Sequence, residues 1–359
     1  GYMQTKWDGA PSVVCGKDPA NGHFFVGTKS VFNKDRPKIC YGPDQIDEWY
    51  GNKQNLAEGL KLSLEYFSKL GINGVVQGDL LFTAATRKTE TIHGEKLYTF
   101  TPNTITYAIP IDHPIGKAVG TAKVGVVFHT HYTGEKDGWD ISNMSARAGA
   151  KVNSSKDVVS IQNDTPMHKV GLNHNEENKF DQYISNIETM CKASGDFLDE
   201  LVKFSGTTGD LKWHVSSYVK QFFNAEIRAA RTIGNVDTVF ESLYNFYYDK
   251  TAKMLADIKT KDNKRKKRAL VQYSQNYLRD NQDKFKGMLG LYRELQAVKQ
   301  MVIDKLDHLE TFRTFVETEK GYKVTGPEGY VLHRNGDMIK FVNRLEFSYN
   351  NFTLAKKWR

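Results

Sequence analysis

Between residues 172 and 320 the chain contains no proline, although nine prolines occur in its 359 residues. Apolar side chains recur there at helical intervals. Phe180, Tyr183, Ile184, Ile187 and Met190 form one such run, and Phe285, Met288, Tyr292, Leu295, Val298, Val302, Leu306, Leu309 and Phe312 form another. A stretch this long with helical periodicity and no proline to break it predicts a helical module. The sequence on either side has another texture. From residue 1 to about 165, short β-rich runs are punctuated by Gly, Pro and Asn, and strand-like sequence resumes only after Gly326-Pro327-Glu328. The predicted class is therefore α+β, with a β-rich domain split by an insertion. Residues 1–168 form its first part, 169–322 the inserted α-helical domain, and 323–359 its last part. There is no fixed-period repeat.

Within the β-rich parts several elements are legible. Ser12 to Gly16 and His23 to Gly27 read as a hairpin around the polar turn Lys17 to Gly22, with Lys6 just before its first strand. Leu56, Leu60, Leu64, Phe67 and Leu70 fall at helical spacing between Asn55 and Gly71. Gly74 to Phe82 is apolar nearly throughout, as a central strand is. Thr104 to Ile111 and Val124 to Tyr132 supply two more strands. Tyr330 to Phe347 reads as a strand, the turn Arg334-Asn335-Gly336-Asp337 and a returning strand. Only five residues precede Lys6, which leaves no room for an element ahead of it and reads as a trimmed N-terminus.

Composition narrows the setting. A hydrophobic content of 39% with 26% charged residues describes a soluble globular protein. No apolar run reaches the roughly 18 residues of a membrane span, and no leader-like segment opens the chain, so no membrane partner and a cytoplasmic location are expected. Cys15, Cys40 and Cys191 are odd in number and lack metal-ligand spacing, which suits a reducing compartment. The net charge of +8 and pI near 9.0 favour polyanionic partners.

Five short motifs then occur in a fixed order. Lys6-Trp7-Asp8-Gly9 lies within Gln4 to Pro11. Gly27-Thr28-Lys29-Ser30 follows an apolar run, and Gly78-Asp79-Leu80-Leu81 closes another. Glu328-Gly329-Tyr330-Val331 comes far downstream, with Met338-Ile339-Lys340-Phe341 just after it. Each is weak alone; their order carries the signal. Together they resemble nucleotidyltransferase motifs I, Ia, III, IV and V of ATP-dependent nucleic-acid ligases. The likeness is greatest to phage-type RNA ligases, where motif IV also reads Glu-Gly-Tyr-Val and a short Asn-Gly or Asp-Gly turn leads to motif V. It covers roughly residues 4 to 132 and 326 to 345, and not the helical module.

The resemblance implies a ligase-type nucleotidyltransferase domain of antiparallel sheets with helices, using ATP with Mg²⁺ or Mn²⁺. In such enzymes the motif I lysine becomes a covalent lysine-AMP, passes AMP to a 5′-phosphate, and a 3′-hydroxyl displaces it. Lys6 would be that nucleophile, which requires its free amine form. Thr5, Asp8 and Gly9 would border the nucleotide, Gly9 by letting backbone come close. Lys29 would lie near ribose or phosphates. Asp79 stands where the family has Glu and would hold the ribose hydroxyls or Mg²⁺. Glu328 would bind the metal that accompanies the triphosphate, an ion that takes only one or two protein carboxylates. Lys340 would bind and polarise the α-phosphate. An aromatic ring between motifs III and IV is expected to stack on adenine, with Phe128 or Tyr107 as the residue.

Two departures stand out. Val342 replaces the second lysine of motif V, with Asn343, Arg344, Lys356 and Lys357 as nearby substitutes, and motif I lacks the arginine that DNA ligases carry shortly after Gly. Only about fifteen residues follow Arg344, too few for the oligonucleotide-fold domain of DNA ligases, which tilts the expectation from DNA toward RNA. His129 and His131 alternate on a predicted strand and would face the same way, as a metal pair does.

The densest basic run lies in the helical module: Lys259, Lys261, Lys264, Arg265, Lys266, Lys267 and Arg268, opposed locally by Asp262 and followed by Tyr273 and Tyr277. Lys264 to Arg268 would neutralise phosphates of a nucleic acid, unless the run is a solvated helix face. The expected function is thus an ATP-dependent polynucleotide ligase acting on RNA, in the host cytoplasm if phage-encoded. The other classes are a capping-type or protein AMP-transferase, and a nucleic-acid-binding phage protein that has lost catalysis.

Overall fold

A computed structural model of the chain describes residues 1–134, 141, 144–161, 164–166, 171–203, 211–308, 312–335 and 337–354. It divides into two compact units, Gly1–Val170 with Lys305–Arg359, and Gly171–Asp304. The first unit is α+β, built on mainly antiparallel sheets.

Its N-terminal part runs β1 (Tyr2–Lys6), β2 (Ser12–Lys17), β3 (Phe24–Gly27), α1 (Pro43–Tyr50), α2 (Gln54–Phe67), β4 (Val75–Thr83), β5 (Lys88–Ile92), β6 (Glu95–Phe100) and β7 (Thr106–Pro110). Then come α3 (Pro114–Thr121), β8 (Val124–Thr133), β9 (Ser145–Ala148), β10 (Val158–Ser160) and β11 (Asp164–Pro166). The helical unit contains α4 (His174–Lys203), α5 (Leu211–Arg228), α6 (Val236–Asp257), α7 (Lys261–Asp280) and most of α8 (Gln282–Asp307). The chain returns as β12 (Arg313–Thr318), β13 (Gly321–Val324), β14 (Gly329–Arg334), β15 (Asp337–Val342) and α9 (Tyr349–Thr353).

The described strands form three sheets. The first has the order β11-β1-β14-β15, the second β10-β8-β4-β2-β3 with β9 also on β8, and the third β13-β12-β7-β6-β5. Among the described strands, β10 lies parallel to β8. The middle sheet buries one face under α2. Leu60 and Phe67 of that helix pack on Val13, Cys15, Val76 and Phe128, and replacing a ring such as Phe67 by Ala costs about 3–5 kcal/mol. A second core gathers Trp7, Phe82, Phe100, Tyr107 and Phe312. The helical unit has its own core around Phe197, Phe222, Phe240, Tyr247, Phe285 and Leu289.

Three expectations change. The helical unit ends at Asp304 rather than near residue 322, because β12 pairs with β7 in the third sheet and Phe312 belongs to the core of the first unit. The five residues to Lys6 do make a strand, since β1 finds partners on both sides in β11 and β14. His129 and His131 do not share a face. Phe128 pairs with Gly78 and Thr130 with Gln77, so His129 is the extra residue of a bulge, and the alternation reverses there. Leu309, Gly336, Lys356 and Lys357 lie outside the described residues.

Candidate active site

Lys6 ends β1, and β1 lies against β14 with Lys6 opposite Gly329. That register puts Glu328 beside Lys6, with Nζ 2.5 Å from Oε1. Gly329 is required there. Its φ is +145°, and a Cβ would meet the Phe341 carbonyl oxygen at 2.0 Å. On its other edge β14 pairs with β15, so that Gln4, Val331 and Lys340 form one row across the sheet.

The four residues of motif I divide the work. Lys6 turns to the cavity described below. Trp7 packs into the second core, 4.5 Å from the Tyr107 ring and 5.0 Å from that of Phe312. Asp8 is buried and accepts from Asn103 Nδ2 at 2.7 Å, Thr104 N at 2.8 Å and Ile105 N at 3.1 Å. Gly9 lies against β4, where a Cβ would meet Asp79 Cβ at 2.6 Å. Two backbone bonds, Ala10 N to Leu80 O and Leu80 N to Pro11 O, both 3.0 Å, hold that contact.

A cavity of about 450 Å³ opens over these elements. Thr5, Lys6, Lys29, Asp79 and Lys340 line it, joined by His129 and Gln77. Lys29 arrives on a single 3-10 turn, Lys29–Phe32, whose first N–H groups are capped by the Thr28 hydroxyl accepting from Ser30 N at 3.4 Å. Among the described residues neither Lys29 nor Lys340 has a carboxylate partner. Asp79 Oδ2 stands 3.5 Å from His129 Nε2, and His129 Nδ1 is 2.8 Å from Thr130 Oγ1. Three ammonium groups around one concavity, two of them uncompensated, suit a polyanion.

Glu328 is the perturbed group. Burial pushes its carboxyl up to about 7, against the pull of Lys6, with Asp8 and Asp79 adding to the rise. A carboxylate near neutrality, in contact with an amine, is an acid–base pair suited to proton exchange.

Several expected residues stand elsewhere. Asp8 and Gly9 do not line the cavity; one ties down residues 103–105 and the other seats the loop on β4. Phe128 points into the α2 core, edge-on to Phe67 at 5.4 Å, because it pairs with Gly78, while Val127, opposite Asp79, faces the cavity with His129. Tyr107 is buried, and its hydroxyl accepts from Asp8 N at 2.7 Å. Asn343, one substitute for the missing lysine, is buried and accepts from Glu346 N at 3.3 Å. Sequence reasoning passes over Gln77 and Tyr132, and takes His129 only as half of a metal pair. The one signal for Gln77 is a lone amide in an apolar strand, two residues before Asp79.

The acids fit a divalent ion modestly. Among the described residues no group of three or more His, Cys, Asp or Glu is arranged to hold a metal. Glu328 and Asp79 are a two-carboxylate set of hard oxygen donors, the number Mg²⁺ takes when phosphates complete its shell.

In the helical unit, α7 carries the basic run. Val271, Ser274 and Leu278 form its buried stripe, and Lys267 and Lys264 occupy that stripe one and two turns earlier. Asp262 pairs with Arg265 at 2.9 Å and Lys266 at 3.3 Å, while Lys267 and Arg268 are exposed and have no acidic partner among the described residues. No described helix is long and apolar enough to cross a membrane.

A sequence model for a family of unknown function, DUF6267, matches residues 1–356. No curated protein and no solved structure matches the chain.

Proposed function

The chain belongs to the DUF6267 family, and we propose that it is an ATP-dependent polynucleotide ligase, joining 5′-phosphate and 3′-hydroxyl ends of RNA through a lysine-AMP on Lys6. The observation that carries this is convergence. Lys6, Lys29, Asp79 and Lys340, taken from four motifs spread along the chain, line one cavity, and the acid of the remaining motif touches Lys6.

The chemistry follows from those positions. Lys6 gives up a proton, for which Glu328 is an acceptor 2.5 Å away, and its amine attacks the α-phosphorus of ATP as pyrophosphate leaves. Lys340 and Lys29 meet the charge on the phosphates. Glu328 and Asp79 would hold Mg²⁺ or Mn²⁺, which supplies charge neutralisation on the triphosphate. The AMP then passes to a 5′-phosphate, and attack by a 3′-hydroxyl releases it. RNA is favoured over DNA by the Glu328-Gly329-Tyr330-Val331 likeness to phage-type RNA ligases. The basic turns of α7 supply phosphate contacts.

One observation favours a second reading. Val342 stands at the position of the second motif V lysine, and Asn343 is engaged in a cap. That pattern suits a nucleic-acid-binding protein on a ligase-like fold that no longer turns over. An acceptor other than RNA, as in a capping-type or protein AMP-transferase, keeps Lys6 chemistry but not ligation. Incubation with ATP, Mg²⁺ and a 5′-phosphorylated RNA strand separates all three. Ligated product supports the ligase, AMP on protein without ligation supports another transferase, and neither leaves the binder.

A further inference from the structure

The cavity wall has an uncharged half. Gln77 and Asp79 are two residues apart on β4, so their side chains leave the same face roughly 7 Å from one another and both line the cavity. Asp79 lies near enough to Glu328 to raise its pKa; Gln77 is one step further along the wall. Its amide is held at both ends. Nε2 donates to Ser12 Oγ at 2.8 Å, and the Tyr132 hydroxyl donates to Oε1 at 2.6 Å.

A primary amide has two hydrogens on nitrogen and two lone pairs on oxygen. Here one of each is used, and among the described residues no further bond takes the others. Gln77 is only 4% exposed, so the unused donor and acceptor are kept from bulk water at a cost in free energy. Tyr132 is firmly placed, with Phe32 packed on its ring at 4.4 Å, and burial raises its pKa, which keeps the hydroxyl a donor. The lysines and acids already account for phosphates and metal; this pinned amide has no such use.

We infer that Gln77 reads the base of the bound nucleotide and selects adenine over guanine. The inference rests on the nucleotidyltransferase reading, because it takes the α-phosphate to lie at Lys6, with ribose and base following along the wall. Adenine offers an N6–H donor beside a ring-nitrogen acceptor, the pattern that Asn and Gln amides read as a bidentate pair. Guanine puts the O6 acceptor in place of N6–H, and it would face the Oε1 that Tyr132 fixes. Reversing the amide would set Nε2 against the donating hydroxyl.

The test is calorimetric binding of ATP and of GTP to the full chain, repeated as transfer of α-label, for wild type, Gln77→Glu and Tyr132→Phe. Circular dichroism checks that each variant is folded. Wild type is expected to prefer ATP by about tenfold or more. Gln77→Glu changes only the donor into an acceptor, and two acceptors match the N1–H and N2–H donors of guanine, so the preference reverses. Tyr132→Phe keeps the ring, frees the amide to turn, and brings the two nucleotides to within a few fold; it carries the test alone if Gln77→Glu does not fold. An unchanged ATP to GTP ratio in the folded variants overturns the inference and leaves the nucleotide site standing. A wild type that binds neither nucleotide overturns both.

Discussion

Lys6 Nζ lies 2.5 Å from Glu328 Oε1, although almost the whole chain, including the helical unit, separates the two in sequence. The contact exists because β1 pairs directly with β14. That pairing brings an amine and a carboxylate from opposite ends of the first unit to one place, and the proposed chemistry can be tested there at four points.

The first concerns pH. With the Glu328 carboxyl at about 7, the carboxylate that the proposal assigns to the metal is formed above that pH and is protonated below it. Metal affinity should therefore weaken as pH falls through 7, approaching tenfold per pH unit once the acid form dominates. Mn²⁺ titration followed by electron paramagnetic resonance at pH 5.5 to 8.5 reads this directly. In Glu328→Gln the affinity should be low and nearly flat with pH; an equally steep profile in the variant would remove Glu328 from the metal site.

The second concerns Gly9. An added methyl would meet Asp79 Cβ at 2.6 Å, and neither backbone can withdraw without breaking the Ala10–Leu80 bond. Gly9→Ala should destabilise by about 1–3 kcal/mol and shift Asp79. Urea unfolding gives the stability change. A variant as stable as wild type would show that the loop does not sit on β4.

Asp8 gives the third. Its carboxylate receives three N–H donors from residues 103–105 and does not line the cavity. Asp8→Ala leaves those donors without their acceptor, costing about 1–3 kcal/mol or more, whereas ATP affinity per folded molecule should stay near wild type. A loss of affinity at unchanged stability would return Asp8 to the nucleotide.

The fourth concerns α7. Lys264 and Lys267 prolong the helix stripe beyond its apolar part, so the double change to Ala should leave the helix folded. Binding to single-stranded RNA should weaken at low salt, and the slope of log affinity against log salt should fall by about 1.4, at roughly 0.7 per lost phosphate contact. An unaltered slope would identify the run as a solvated face.

Much of the fold is legible in the sequence. The β2–β3 hairpin, α2 and β4 announce themselves through spacing and turn residues, and the cavity lysines through motif order. What escapes does so for physical reasons. The bulge at His129 is a one-residue change of register, invisible in an alternating pattern, and it sends His129 and His131 to opposite faces. The helical period from Phe285 runs on to Phe312 in sequence, yet α8 ends at Asp307 because strand pairing claims the residues beyond. Asp8 sits in a motif that reads as catalytic, but N–H donors of residues 103–105, distant in sequence, take its carboxylate.

The most direct test is incubation with α-labelled ATP and Mg²⁺ followed by a denaturing gel, comparing wild type with Lys6→Arg, which keeps a cation beside Glu328. A covalent label on wild type, absent from Lys6→Arg, is the expected result. Equal labelling of the two, or no label on either with Mg²⁺ or Mn²⁺, would contradict Lys6 as the nucleophile.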